Sequence, residues 1–231
     1  MKEIAFYGAG FPYAPISDLP GRLIVLEGTD GVGRSTQMQM LKDWVEEEGF
    51  GVLDTGLARS TLTQSGLDRA KRGHTLGHLT MSLFYATDFA DRLENQIIPA
   101  LKAGFYMLSD RYFYSIIARN VVRGADPDWS RKIYGFALKP DMIFYLRADV
   151  PTLVSRVVNG GGFDYWESGM DIGCADNLYD SFCIYQARLI EQFDQMAEEF
   201  DFITIDANRS SHDVFEDIKE HVRTLIHEHR Q

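Results

Sequence analysis

The stretch GTDGVGRST, Gly28 to Thr36, decides how this 231-residue chain is read. It departs by one residue from the phosphate-binding pattern GxxxxGK[ST], because Arg34 stands where that pattern asks for lysine. A short apolar run, Leu23 to Leu26, precedes the loop, and MQMLKDWVEEEG after it keeps a helical spacing up to Gly49 or Gly51. A loop between strand and helix can aim successive backbone N–H groups at a phosphate, with the positive end of the helix dipole behind it. Gly28, Gly31 and Gly33 permit the close approach that this wrap requires, and Val32 lies between the last two. Ser35 would place its hydroxyl on Mg²⁺, and Thr36 would support the loop or the α-phosphate. Arg34 keeps the positive charge of the missing lysine in a planar, larger group suited to bidentate contact. A glycine-rich turn carrying an exposed arginine is the other reading of the loop taken alone.

Outward from the loop, four more short β-favouring runs follow: Phe50 to Asp54, Phe105 to Leu108, Met142 to Leu146 and Phe202 to Ile205. Helical stretches separate them, at roughly 76–103, 112–122, 151–158, 177–199 and 211–228. Apolar strands alternating with helices predict an α/β fold, a five-stranded parallel sheet with helices on both faces. Such sheets bind ligands outside the carboxyl ends of their strands. The N-terminal Gly8-Ala9-Gly10 lacks the third glycine and the following helix of a dinucleotide site, so residues 1–20 read as an extension, ordered or partly frayed. Residues 21–231 read as a single domain, with a lid segment at about 157–180.

Composition narrows the function further. A hydrophobic fraction of 45% suits a folded globule, and a net charge of -11 excludes a broad electrostatic grip on nucleic acid or anionic lipid. Phosphate binding must therefore be local. Cys174 and Cys183 are nine apart, which fits no common zinc spacing, and read as reduced structural thiols. No apolar run approaches the roughly 20 residues of a membrane span, and the N-terminus is a poor signal peptide, so the cytoplasm is the expected compartment.

Asp110 and Arg111 end the run FYMLSDRY. A carboxylate at a strand end can orient the water shell of Mg²⁺, and an adjacent arginine can clamp an acceptor phosphate, although a surface ion pair would leave the same trace. Taken with LEGTDGVGRSTQ, LFYATDFADRLENQIIPALKAGFYMLSDRYFYS, KPDMIFYLRADVPTLVSRV and ITIDANRS, the chain resembles the thymidylate kinase family over about residues 21–225. That resemblance implies a P-loop kinase fold, a homodimer, and transfer of a phosphoryl group from ATP to a nucleoside monophosphate. It further implies that Asp30 meets the sugar 3′-hydroxyl, that Arg111 holds the acceptor phosphate, and that Tyr85 takes the place of the aromatic that stacks on the base. From spacing alone, Tyr85 reads equally as a core residue of an amphipathic helix.

Departures from the family pattern fall mostly on the acceptor side. Phe89 stands where the family usually keeps a base-contacting arginine, and Arg92, nearly one turn on, is the candidate to replace it. Arg59, in TGLARSTL, is the candidate for the family's phosphate-facing arginine, and Arg119 with Asn120 stands where Tyr and Gln are common. The lid carries no lysine or arginine between Arg156 and Arg188, where family members with this loop usually supply arginines. Since the transition state spreads negative charge, Arg34 is expected either to take on part of the lid's duty or merely to preserve the loop's charge. The acidic aromatic segment FDYWESGMD packs the lid or contacts substrate. A kinase for another small acceptor and a nucleotide-binding regulator without turnover stand as the alternatives to a thymidylate-type enzyme.

Overall fold

The computed structural model describes residues 4–13, 16–73 and 76–229. Five strands form one sheet in the order β2-β3-β1-β4-β5, all parallel, with helices around it. The strands are β1 (Arg22–Gly28), β2 (Val52–Gly56), β3 (Tyr106–Asp110), β4 (Met142–Arg147) and β5 (Ile203–Asp206). Val52 faces Tyr106 and Gly56 faces Asp110, while Phe144 faces Ile203 and Arg147 faces Asp206. Leu23, Ile24, Val25 and Leu26 are wholly buried, which is why the middle of β1 is a continuous apolar run rather than alternating.

All five predicted strands are present, with shifted ends. Strand β2 starts two residues later than Phe50 because helix α1 (Arg34–Glu47) closes through Gly49 and Phe50, whose N–H groups donate to the carbonyls of Glu46 and Val45. The long helix expected over 76–103 is three pieces: α3 (His78–Arg92), a π-helical turn (Leu93–Ile97) and α4 (Ile98–Lys102). A π turn shifts the buried stripe by one residue, so that Leu93, Ile97 and Ile98 all remain inside. Two short helices were not predicted. α2 (Gln64–Gly73) buries only Leu67 and Ala70, and α6 (Pro127–Ile133) only Ser130, so neither writes an apolar periodicity into the sequence.

The remaining helices are α5 (Phe113–Val122), α7 (Val150–Asn159), α8 (Leu178–Glu199) and α9 (Ser211–His229). Asp149 caps α7 by accepting from the Thr152 N–H, and Asn177 caps α8 by accepting from that of Asp180.

Internal contacts gather into two compact units, residues 1–25 with 45–141 and residues 26–44 with 142–231. The first is built on an aromatic cluster of Phe89, Tyr112, Phe113, Tyr114 and Tyr134, all essentially buried. Of the extension expected over 1–20, residues 1–3 and 14–15 lie outside the described residues. Its Tyr7 and Gly10 N–H groups donate to Ala137 and Gly135 carbonyls, and Lys139 donates back to Ala5. In the second unit α8 buries Phe182, Tyr185, Leu189 and Phe193, with Phe193 stacked on Tyr145 of β4 at 5.4 Å. Cys174 and Cys183 carry no disulfide.

Candidate active site

The glycine-rich loop follows β1 directly and runs into α1. Two of its glycines are demanded by the backbone. Gly28 has φ 144°, and a Cβ there would lie 2.6 Å from the Leu146 carbonyl oxygen; Gly31 has φ 79°, and its Cβ would lie 2.7 Å from Val157 Cγ2. Arg34 Nη1 donates to the carbonyl oxygens of Gly28 at 2.6 Å and Thr29 at 2.5 Å. The residue that breaks the lysine pattern thus braces the loop from within. Arg156 of α7 braces it from outside, donating to the Val32 carbonyl at 2.9 Å and to that of Ala207 at 2.8 Å. Three of the loop's carbonyls are held by guanidinium groups. Ser35 and Thr36 follow in the first turn of α1, both exposed.

Asp30 is 3% exposed, and Gln186 Nε2 lies 3.5 Å from its Oδ2. The same Gln186 nitrogen donates to the Glu167 carbonyl at 2.8 Å, so one buried glutamine of α8 joins the loop acid to the acidic aromatic segment. Sequence reasoning missed Gln186; its signal is a lone amide within the buried α8 stripe of Phe182, Tyr185 and Leu189. The acidic aromatic segment folds on itself, with Asp164 accepting from the N–H groups of Trp166 and Glu167. The segment expected as a lid meets a cation: Arg188 Nη1 of α8 lies 3.7 Å from Cys174 Sγ.

In the other unit, the acceptor-side candidates gather around α3. Asp88 is fully buried and accepts four hydrogen bonds: from the Ala58 N–H at 3.1 Å, the Ser60 N–H at 3.0 Å, Thr63 Oγ1 at 3.0 Å and Arg92 Nε at 2.9 Å. That saturates a carboxylate. Asp88 therefore fixes the loop that carries Arg59, in which Ala58 adopts a left-handed φ of 57°. Arg59 itself is exposed and pairs with Asp54 at 3.1 Å. Sequence reasoning missed Asp88 too, because its partners are scattered over 58–92.

Arg92 is also fully buried; its Nη1 and Nη2 have no protein hydrogen-bond partner. Its guanidinium lies 5.7 Å from the Phe89 ring. Phe89 is enclosed by Tyr112 at 4.7 Å, Tyr134 at 5.7 Å and Phe113 at 5.9 Å, so it is a core aromatic. Tyr85 is half-buried with Lys71 Nζ 5.6 Å from its ring centre. Arg119 is half-buried in the last turn of α5, next to Asn120, whose Oδ1 accepts from Ser82 Oγ at 3.0 Å. Burial pushes the hydroxyls of Tyr112 and Tyr134 far above their ordinary range, so both stay neutral, and Tyr112 donates to the Leu138 carbonyl at 3.1 Å.

Asp110 is the last residue of β3, and Arg111 follows with φ 68°, a conformation a non-glycine residue holds only where its surroundings enforce it. Ser109 Oγ contributes by donating to the Arg111 carbonyl at 2.6 Å. Among the described residues no cluster of three or more His, Cys, Asp or Glu side chains could hold a metal ion, and no helix is long and apolar enough to cross a membrane.

Residues 26–218 match the family model described as thymidylate kinase. The chain is 41% identical over 201 residues to a probable thymidylate kinase 2 of Saccharolobus solfataricus, covering 86% of this chain and 94% of that protein. It is 32% identical over 209 residues to a probable thymidylate kinase of Thermococcus gammatolerans, with the same coverage of 86% and 94%. It is 30% identical over 167 residues to a thymidylate kinase of Brachyspira hyodysenteriae, covering 71% of this chain and 82% of that protein.

Proposed function

The chain belongs to the thymidylate kinase family, and on that premise we propose that it transfers the γ-phosphoryl group of ATP to dTMP. The observation that carries this reading is the braced loop between β1 and α1, with Asp30 inside it and exposed Ser35 and Thr36 hydroxyls at its end. Gly28, Gly31, Val32, Gly33, Arg34, Ser35 and Thr36 hold the ATP phosphates, and Asp30 orients the acceptor sugar. Ser35 and Asp110 would each offer an oxygen ligand to Mg²⁺; a hydroxyl and a carboxylate suit this hard cation, which is commonly bound by one or two carboxylates plus substrate phosphates. When bound, Mg²⁺ neutralises charge on the β- and γ-phosphates. Arg111 and Arg59 hold the acceptor phosphate. Catalysis is positioning and charge stabilisation, so no nucleophilic side chain takes part.

The base is read by Arg92 in place of the arginine that Phe89 replaces. Guanidinium donates and never accepts, so Nη groups without protein partners suit a base presenting carbonyl oxygens, as thymine does. Tyr85 and Arg119 flank the acceptor. The enzyme works in the cytoplasm as a homodimer, and exposed Leu79 and Leu83 on α3 support an interface there. A second reading, a kinase for a different small acceptor, is favoured by one feature, the enclosed Phe89 where the family keeps a polar contact. Incubation with Mg-ATP and a panel of deoxy- and ribonucleoside monophosphates tests both. Formation of dTDP supports the first reading, and a diphosphate from another acceptor alone supports the second. ATP binding without any diphosphate would sink both and leave a regulator.

A further inference from the structure

Residues 4–10 precede the family match at 26–218, yet they reach the start of α5, two residues beyond Arg111. Phe6 forms an antiparallel bridge with Leu138, and hydrogen bonds Tyr7 N–H to Ala137, Gly10 N–H to Gly135 and Lys139 N–H to Ala5 fasten the segment along 135–139. A Cβ on Gly8 would lie 2.8 Å from Gly135 Cα, so the two backbones are in close contact. From this segment Tyr7 projects onto the start of α5. Its ring meets Phe113 edge-on at 5.2 Å and Tyr114 at 5.9 Å, and its hydroxyl lies 2.5 Å from that of Tyr114. Lys139 Nζ sits 5.3 Å from the centre of the same ring.

Tyr7 thus packs on the start of α5. The N-cap residue of that helix, Tyr112, makes no side-chain capping bond, and Arg111 just before it is held at φ 68°. We infer that residues 4–10 form a strap that positions Arg111, with Tyr7 as a positioning residue acting through Tyr114. The inference rests on the reading of Arg111 as the acceptor-phosphate arginine. It concerns the acceptor, because the strap's contacts named here fall on 113–139, in the same unit as Arg111.

Full-length Tyr7→Phe, Tyr114→Phe and the double variant test it, since each removes a hydroxyl and keeps the ring. The KM for dTMP should rise about 2- to 10-fold in each, the worth of one hydrogen bond, with the KM for ATP unchanged. The double variant should be no worse than either single one. Amide hydrogen exchange over 109–116 should quicken severalfold in Tyr7→Ala while exchange over 28–36 stays as in the wild type. An active enzyme whose dTMP and ATP constants rise together, or both stay put, overturns the inference, as does unchanged exchange over 109–116. If the wild type forms no dTDP, the functional reading fails by itself and the exchange pattern decides for or against the strap.

Discussion

The loop region and the α3 region hold their charged groups in opposite ways. Around Gly28 to Thr36 the arginines spend their donors on main-chain carbonyls: Arg34 on Gly28 and Thr29, Arg156 on Val32 and Ala207. Around α3 the charges meet one another: Asp88 and Arg92 form a wholly buried pair among aromatic rings, and two guanidinium nitrogens have no protein partner. A main-chain cradle fits a ligand that never changes, such as a triphosphate, and tolerates Arg34 for lysine because the cradle itself is backbone. On the proposed reading, the side-chain site has moved its polar contact along α3, from 89 to 92.

The contrast breaks most visibly at Asp88. Asp88→Asn leaves Arg92 charged and buried with no counter-ion, and breaking such a pair costs about 3–5 kcal/mol. For a chain of this size thermal melting should fall by roughly 10 °C. Replacing both residues by leucine should cost less than Asp88→Leu alone; an equal or larger loss would show that the ion pair is not what the site depends on. Next comes Gly28→Ala, where a methyl group would collide with the Leu146 carbonyl at a φ closed to alanine. ATP affinity should fall by about two orders of magnitude while dTMP binding, measured by calorimetry, is retained.

Arg34→Lys gives a smaller effect. Lysine keeps the charge but cannot reproduce the planar fork, so the rate of transfer should fall on the order of 10-fold. A rate equal to or above that of the wild type would mean that the guanidinium merely preserves the loop's charge. Smallest is a pH effect at Asp149. Its pKa lies below the ordinary aspartate range, chiefly through the Thr152 hydroxyl and then the Thr152 N–H. With a folded pKa below the unfolded one, the cap's contribution is present above the unfolded value and is lost as pH falls through the folded one. Asp149→Asn should therefore lower stability slightly at pH 7 and not at all near pH 2, as read by chemical denaturation.

How much of this was legible in sequence follows the same division. The loop, β1 and Asp110-Arg111 could be read because consecutive residues carry out one task there, and chain order is spatial order. Strands β1, β3 and β4 were legible because a parallel strand buried on both faces carries a continuous apolar run, and the part-exposed β2 and β5 because β-favouring residues stand between helical stretches. Helices α2 and α6 were not, since their few buried residues set no period, and the π turn at 93–97 is a change of phase that a helical spacing cannot reveal. Asp88 and Gln186 were invisible because their meaning lies in partners up to 30 and 156 residues away. Arg34 was seen as a departure, but its carbonyl partners emerge only when the loop is folded.

The central claim is that a backbone cradle for ATP serves an acceptor site built for thymine. The most direct measurement is kcat/KM with Mg-ATP for dTMP against dCMP, which presents an amino group and a bare N3 where thymine presents a carbonyl and N3–H, and lacks the 5-methyl group. The account predicts dTDP formation with a preference for dTMP of about 10- to 100-fold, reduced toward unity in Arg92→Met. Equal use of dCMP, or ATP bound with neither nucleotide converted, would contradict it.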